Sequence, residues 1–108
     1  MFVKLAGFSG ASAVLLGAFG AHALSRVTAD PKAHATWQTA ASYHIIHSAV
    51  LLHAATQRNV LACRLLSAGM IVFSGSLYVL TLSGQKWLGA VTPIGGLLLT
   101  AGWVALAL

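Results

Sequence analysis

Charge is what this sequence lacks most. Of its 108 residues, six are Lys or Arg and one is Asp or Glu, so charged residues make up 6 %. A soluble domain carries roughly a quarter. The single acidic residue is Asp30, so no carboxylate pair exists for acid–base hydrolysis and no Ser-His-Asp set can be assembled within a span. No glycine-rich phosphate loop is present either. There is one cysteine, Cys63, which excludes an internal disulfide and reads as a small apolar residue at a span boundary. Internal repeats, low-complexity tails and soluble appendages are missing too.

Apolar residues are abundant, at 58 %. A soluble fold of this length buries too small a fraction of its surface to hide them. Disorder is excluded because disordered chains are polar and charged. The remaining solvent is lipid.

The charged residues Lys4, Arg26, Asp30, Lys32, Arg58, Arg64 and Lys86 separate four uncharged runs, 5–25, 33–57, 65–85 and 87–108. A helix needs about 20 apolar residues to cross the hydrocarbon core. Strand spans would need alternating segments, which are not seen. The pattern predicts one all-α domain, an integral membrane four-helix bundle, with spans at about 3–24, 37–57, 61–82 and 88–108. The basic residues are scattered at span ends rather than gathered in a stripe. That suits membrane-boundary anchoring and excludes a nucleic-acid partner.

The first run also resembles a secretory signal, with Lys4, an apolar stretch and Ala21-His22-Ala23 as a cleavage pattern. Ala13, Gly17 and Ala21, spaced four apart, argue for a retained span instead, because small-xxx-small stripes let helices pack closely. Lys4, Arg58 and Arg64 fall on one side, and Arg26, Lys32 and Lys86 on the other. The free amine and the short basic 58–64 connection tip the expectation toward both termini in the cytoplasm. The connection at 25–36 holds Asp30-Pro31, a turn signal, and Trp37 and Trp87 suit the interface.

A helix rises about 1.5 Å per residue, which converts position into depth. Measured from the side of the 25–36 and 83–87 connections, His22 lies about 4 Å in, Tyr43 and His44 about 9–10 Å and His47 about 15 Å. Tyr78 and Thr92 lie about 6 Å in, Ser76 about 9 Å and Ser74 about 12 Å. All four helices thus bring polar groups into the same half of the bilayer. His44 and His47, three apart, share a helix face. Ionisable residues in spans usually face the bundle interior, so His22, His44 and His47 are expected inward and hydrogen-bonded.

Three roles suit that layer. It is a hydrogen-bonded core holding the helices together, a haem or metal site, or a proton or small-solute path. The first is the leading expectation, because a metal site normally wants three or four ligands with an oriented outer shell.

In the third run, Gly75 within Phe73-Ser74-Gly75-Ser76-Leu77-Tyr78 suits a close helix crossing. The fourth opens with Thr92-Pro93-Ile94-Gly95-Gly96, in which Pro93, Gly95 and Gly96 are expected at a helix contact. With Thr92 as N-cap and Pro93 as first residue, the regular helix is 93–108, and 87–91 form an interfacial approach. The alternative is a longer helix kinked at Pro93.

Four fragments in order, Gly17-Ala18-Phe19-Gly20-Ala21-His22-Ala23-Leu24, Tyr43-His44-x-x-His47, Phe73 through Tyr78 and Thr92 through Gly96, give the chain a likeness over nearly its whole length. It resembles the family of small multi-span membrane proteins of unknown function that includes human transmembrane protein 256 and bacterial inner-membrane relatives. The resemblance implies a small multi-pass protein of a bacterial inner membrane and supplies no activity, substrate or catalytic residue. The fragments that carry it hold the same polar layer that depth picked out. The expected function is therefore non-enzymatic: an accessory or scaffold component without a cofactor, partnered by the bilayer and by another membrane protein or further copies of itself. The alternative is a histidine-based haem or metal protein, or a conduit.

Overall fold

The computed structural model describes residues 1–108. Its regular elements are helical: α1 Phe2–His22, α2 Pro31–Thr56, α3 Val60–Ser83 and α4 Thr92–Ala107, with short 3₁₀ turns at Leu24–Arg26 and Lys86–Ala90. Helix α2 begins behind Asp30, whose side chain accepts the Lys32 amide at 3.0 Å. Pro31 needs no amide partner in the first turn, so the helix starts six residues before the predicted span. Helix α3 begins behind Asn59, whose Oδ1 accepts the Ala62 amide and whose Nδ2 donates to the Ala105 carbonyl at 3.1 Å. It stops at Gly84, where φ is 72°, a left-handed cap that glycine adopts without strain.

Thr92 is the first residue of α4 and not its cap. The cap position is Val91, with no side-chain bond, because the Thr92 hydroxyl is engaged across the helix interface. Of the two readings of this region, the shorter helix holds: the 3₁₀ turn forms the approach, and the 16 residues of α4 follow. Pro93, expected at a helix contact, is instead exposed in the first turn of the helix.

Each helix packs on its neighbour in sequence, α1 on α2, α2 on α3 and α3 on α4, while α1 and α4 form the two outer members. Phe2 and Ala6 share a cluster with Ala54, Ala62, Ala105 and Leu106. This puts both chain ends beside the α2–α3 turn. The α3–α4 contact is a reciprocal large-on-small zipper. Leu66 meets Gly102, Gly69 meets Leu99, and the Phe73 backbone meets Gly95. Ser76 meets Thr92 one step further. A Cβ on Gly69 would lie 2.8 Å from Leu99, and one on Gly95 would strike the Phe73 backbone nitrogen.

Not every residue of the small-residue stripes packs. Ala13 is buried and Gly95 is a tight crossing, and Gly96 makes ordinary contact with the Phe73 ring. A Cβ on Gly17 or on Gly75, however, would meet nothing within 4 Å, and Ala21 is exposed. In α1 the packed stripe runs through Ala6, Gly10, Ala13 and Gly20 instead. Spacing defines a face; it does not say which face has a neighbour.

Three segments are long and apolar enough to cross a membrane: Phe2–His22, Val60–Ser83 and Lys86–Ala107. Helix α2, the longest at 26 residues, is the more polar one.

Candidate functional site

Helix α2 concentrates the polar side chains and lies between α1 and α3. Its own hydroxyls are partly self-satisfied: Thr36, Thr39 and Ser48 donate to the carbonyls of Lys32, Ala35 and His44, one turn back. Such bonds neutralise hydroxyls without any partner helix.

His44 and His47 leave α2 in different directions. His44 reaches α1 and α3. Its Nδ1 lies 3.0 Å from the Tyr78 hydroxyl and its Nε2 3.2 Å from Ser9 Oγ. Ser9 Oγ is 2.6 Å from Ser48 Oγ, and Ser48 donates to the His44 carbonyl at 2.7 Å. For a neutral ring, one proton arrangement satisfies all four contacts. Ser48 spends its proton on the carbonyl, so Ser9 donates to Ser48. Ser9 then accepts from His44 Nε2–H, and Nδ1 accepts from Tyr78. Met70 Sδ, 3.7 Å from Ser9 Oγ, closes the apolar side.

His47, 6 % exposed, faces α4. Its Nδ1 is 2.7 Å from the Tyr43 carbonyl, and Trp103 Nε1 donates to its Nε2 at 3.1 Å. A carbonyl only accepts and an indole N–H only donates, so Nδ1 carries the proton. Tyr43 stacks on this ring at 5.7 Å and is itself 43 % exposed.

The other expected members are held differently. Ser74 donates to the Ala40 carbonyl at 2.9 Å, joining α3 to α2. Ser76 donates to the Phe73 carbonyl and lies 2.6 Å from Thr92 Oγ1, joining α3 to α4. His22 does not belong with them. It is the last residue of α1 and is exposed. It sits two residues, about 200°, beyond Gly20, the position that meets α2. Depth fixes height along a helix and leaves the direction around it open.

Trp37 faces the bundle interior and not its outer surface. It is 2 % exposed, donates to the Leu16 carbonyl at 2.8 Å, and lies over Gly20 with its ring 4.7 Å from that of Tyr78. Trp87 is 64 % exposed. The residues the sequence did not single out are Ser9, Ser48, Met70 and Trp103. Ser48 follows His44 by four, a spacing that puts it on the same face. Ser9 belongs to the opposite half by depth, and nothing in its neighbourhood flags it.

Beside His44, α1 and α3 part to leave a groove of about 300 Å³ with α2 as its floor, lined by Ser9, Ser67, Ser74 and Tyr78 among apolar walls. Ser67 Oγ is buried there without a partner. No three His, Cys, Asp or Glu residues come close enough to hold a metal ion. In the neutral-ring proton arrangement the Nδ1 lone pair of His44 accepts a hydrogen bond from Tyr78 and the Nε2 lone pair of His47 accepts one from Trp103. The side-chain bonds of this arrangement run from α2 to α1, α3 and α4.

Residues 16–96 match the family model described as protein of unknown function (DUF423). That span contains all four of the ordered fragments. A UPF0382 membrane protein of Staphylococcus aureus is 41 % identical, covering 98 % of this chain and 91 % of its own. The UPF0382 membrane protein of Schizosaccharomyces pombe is 37 % identical over 95 % of both chains, and that of Bacillus subtilis 37 % identical over 96 % of this chain and 90 % of its own.

The chain belongs to the DUF423/UPF0382 family.

It is accordingly a membrane protein, of a family found in bacteria and in a fungus. No solved structure matches it. Family membership adds no activity, because the relatives' names state none. It does establish the bilayer as the solvent of this DUF423/UPF0382 chain. In that solvent the internal pairing of each imidazole matters, since a lipid-facing ring nitrogen would have no partner.

Proposed function

We propose that this chain is a non-enzymatic accessory or scaffold component of the bacterial inner membrane, whose His/Tyr/Ser layer holds its helices together. One observation carries this: both ring nitrogens of His44 and both of His47 have partners within the chain, three of them on α1, α3 and α4 and the fourth, the Tyr43 carbonyl, on α2 itself. A histidine kept for a metal or a mobile proton needs a free lone pair or a path onward. Here the Ser9–Ser48 branch ends on the His44 carbonyl. Helix α2 crosses the membrane as a fourth span despite its polarity, because α1, α3 and α4 satisfy the groups it carries. Both termini then face one side, the cytoplasm. The partner is another membrane protein or a further copy of the chain, met in the plane of the bilayer.

Replacing His44 by Leu tests the layer. It orphans the Tyr78 hydroxyl, takes from Ser9 the donor it accepts, and should destabilise the protein in detergent by about 1–3 kcal/mol. The wild-type spectrum should show no Soret band, and metal analysis no stoichiometric ion. A cofactor role would show the reverse, with band or metal lost in the variant. Unchanged or raised stability would favour a proton path.

A further inference from the structure

At the end of the bundle opposite the termini, the structure holds a second, larger cleft of about 580 Å³ between the start of α2 and the end of α3. Asp30, Lys32 and Thr36 line it from the α2 side, Leu80 and Thr81 from the α3 side, and Lys86 from the following turn. Two lysines from separate elements therefore border one space. The chain has one acidic side chain for six Lys and Arg residues, so it cannot neutralise itself. Asp30 already gives one carboxylate oxygen to the Lys32 amide as the cap of α2. Two cations against one carboxylate leave the cleft with one net positive charge.

We propose that this cleft binds the phosphodiester headgroup of an anionic phospholipid such as phosphatidylglycerol. The charge fits: a phosphodiester carries one negative charge, the amount the cleft lacks. The donors fit: Lys32 and Lys86 point-charge donors suit phosphate oxygens. Thr28 also lines the cleft, and its Oγ1 accepts the Asp30 amide, which leaves its proton to donate. The position fits a lipid rather than a soluble anion. The cleft opens where membrane helices end, Leu80 forms part of its wall, and the exposed Leu82 and Trp87 stand at the same end of the bundle. Trp at that level marks the headgroup zone, and a basic pocket between membrane helices is a recurrent headgroup site. Acyl chains would then run down the apolar outer surface of α3.

The test uses the full chain purified in detergent and titrated with phosphatidylglycerol or phosphatidylcholine, counting bound lipid by native mass spectrometry. The variant Lys32→Gln with Lys86→Gln should weaken phosphatidylglycerol binding about thirtyfold, the factor that two interfacial lysines at about 1 kcal/mol each imply. The variant Lys4→Gln with Arg64→Gln removes the same charge from the opposite end and should leave binding within about threefold. Lys32→Arg with Lys86→Arg should retain it, which guards against loss through misfolding. Phosphatidylcholine should bind weakly to all of them. Equal losses in the two Gln variants would reduce the effect to overall charge and overturn the proposal. So would undiminished binding to the cleft variant. Displacement of the lipid by millimolar inorganic phosphate would assign the cleft to a free anion instead and overturn the lipid assignment.

Discussion

Replacing Gly95 by alanine should destabilise the protein by about 3 kcal/mol, the upper end of the usual range for overpacking. The added Cβ would fall on the backbone nitrogen and Cα of Phe73. A flexible side chain can turn away from an intruding methyl, whereas a backbone inside a helix can move only if the whole helix moves. Shifting α3 from α4 there would also pull Leu66 from Gly102, Leu99 from Gly69, and Ser76 from Thr92, because all four pairs lie in one register. In lipid this close packing is the main attraction between helices, since apolar side chains gain little by leaving one apolar solvent for another. Gly75→Ala is the matched control. Its Cβ would meet nothing within 4 Å. The change should be neutral or stabilising by up to about 1 kcal/mol through helix propensity. Thermal unfolding of both variants in one detergent checks the pair, and equal effects would mean that α3 and α4 do not cross at Gly95.

Trp37→Ala should destabilise by about 3–5 kcal/mol, the usual range for emptying a buried indole site. The ring fills the space over Gly20 between α1, α2 and α3, lying 5.3 Å from the Phe19 ring and 4.7 Å from that of Tyr78. Its loss opens a cavity and also removes the wall that holds the Tyr78 hydroxyl toward His44. Trp37→Phe should keep most of the packing and lose about 1 kcal/mol with the bond to the Leu16 carbonyl. A Trp37→Ala change of less than about 1 kcal/mol would instead place this residue at the lipid boundary.

These two positions show what was legible in the sequence and what was not. Seven charges were enough to divide the chain into helices, because lipid excludes charge and demands internal backbone pairing. Gly95 stood among the expected packing residues, and the Phe73 backbone meets it. Trp37 was misplaced. Tryptophan near a charged connection usually marks the interface, but the helix cap at Asp30 lengthens α2 and carries Trp37 inside. Spacing alone put His44 and His47 on one shared face, whereas the rings turn apart, His44 to α1 and α3 and His47 to α4. Of the partners, Ser48 could have been found from its spacing of four from His44, whereas Ser9 and Trp103 could not, because one serine or tryptophan in an apolar run says nothing about which way it points. His22 failed for the same reason in reverse: its height was right, and its direction around α1 takes it outward. Gly17 and Gly75 have the spacing of packing residues without a neighbouring helix to use it.

The internal pairing of His44 and His47 is the claim on which the rest depends, and their proton positions report it most directly. With the ring nitrogens labelled and the protein in bilayers, ¹⁵N NMR distinguishes the two neutral tautomers and the imidazolium. His44→Leu and His47→Leu samples assign the signals among the five histidines of the chain. The bonding predicts opposite neutral tautomers three residues apart: His44 protonated on Nε2, where it faces Ser9, and His47 protonated on Nδ1, where it faces the Tyr43 carbonyl. Identical tautomers, an imidazolium at either site, or nitrogen shifts showing a coordinated metal would contradict it.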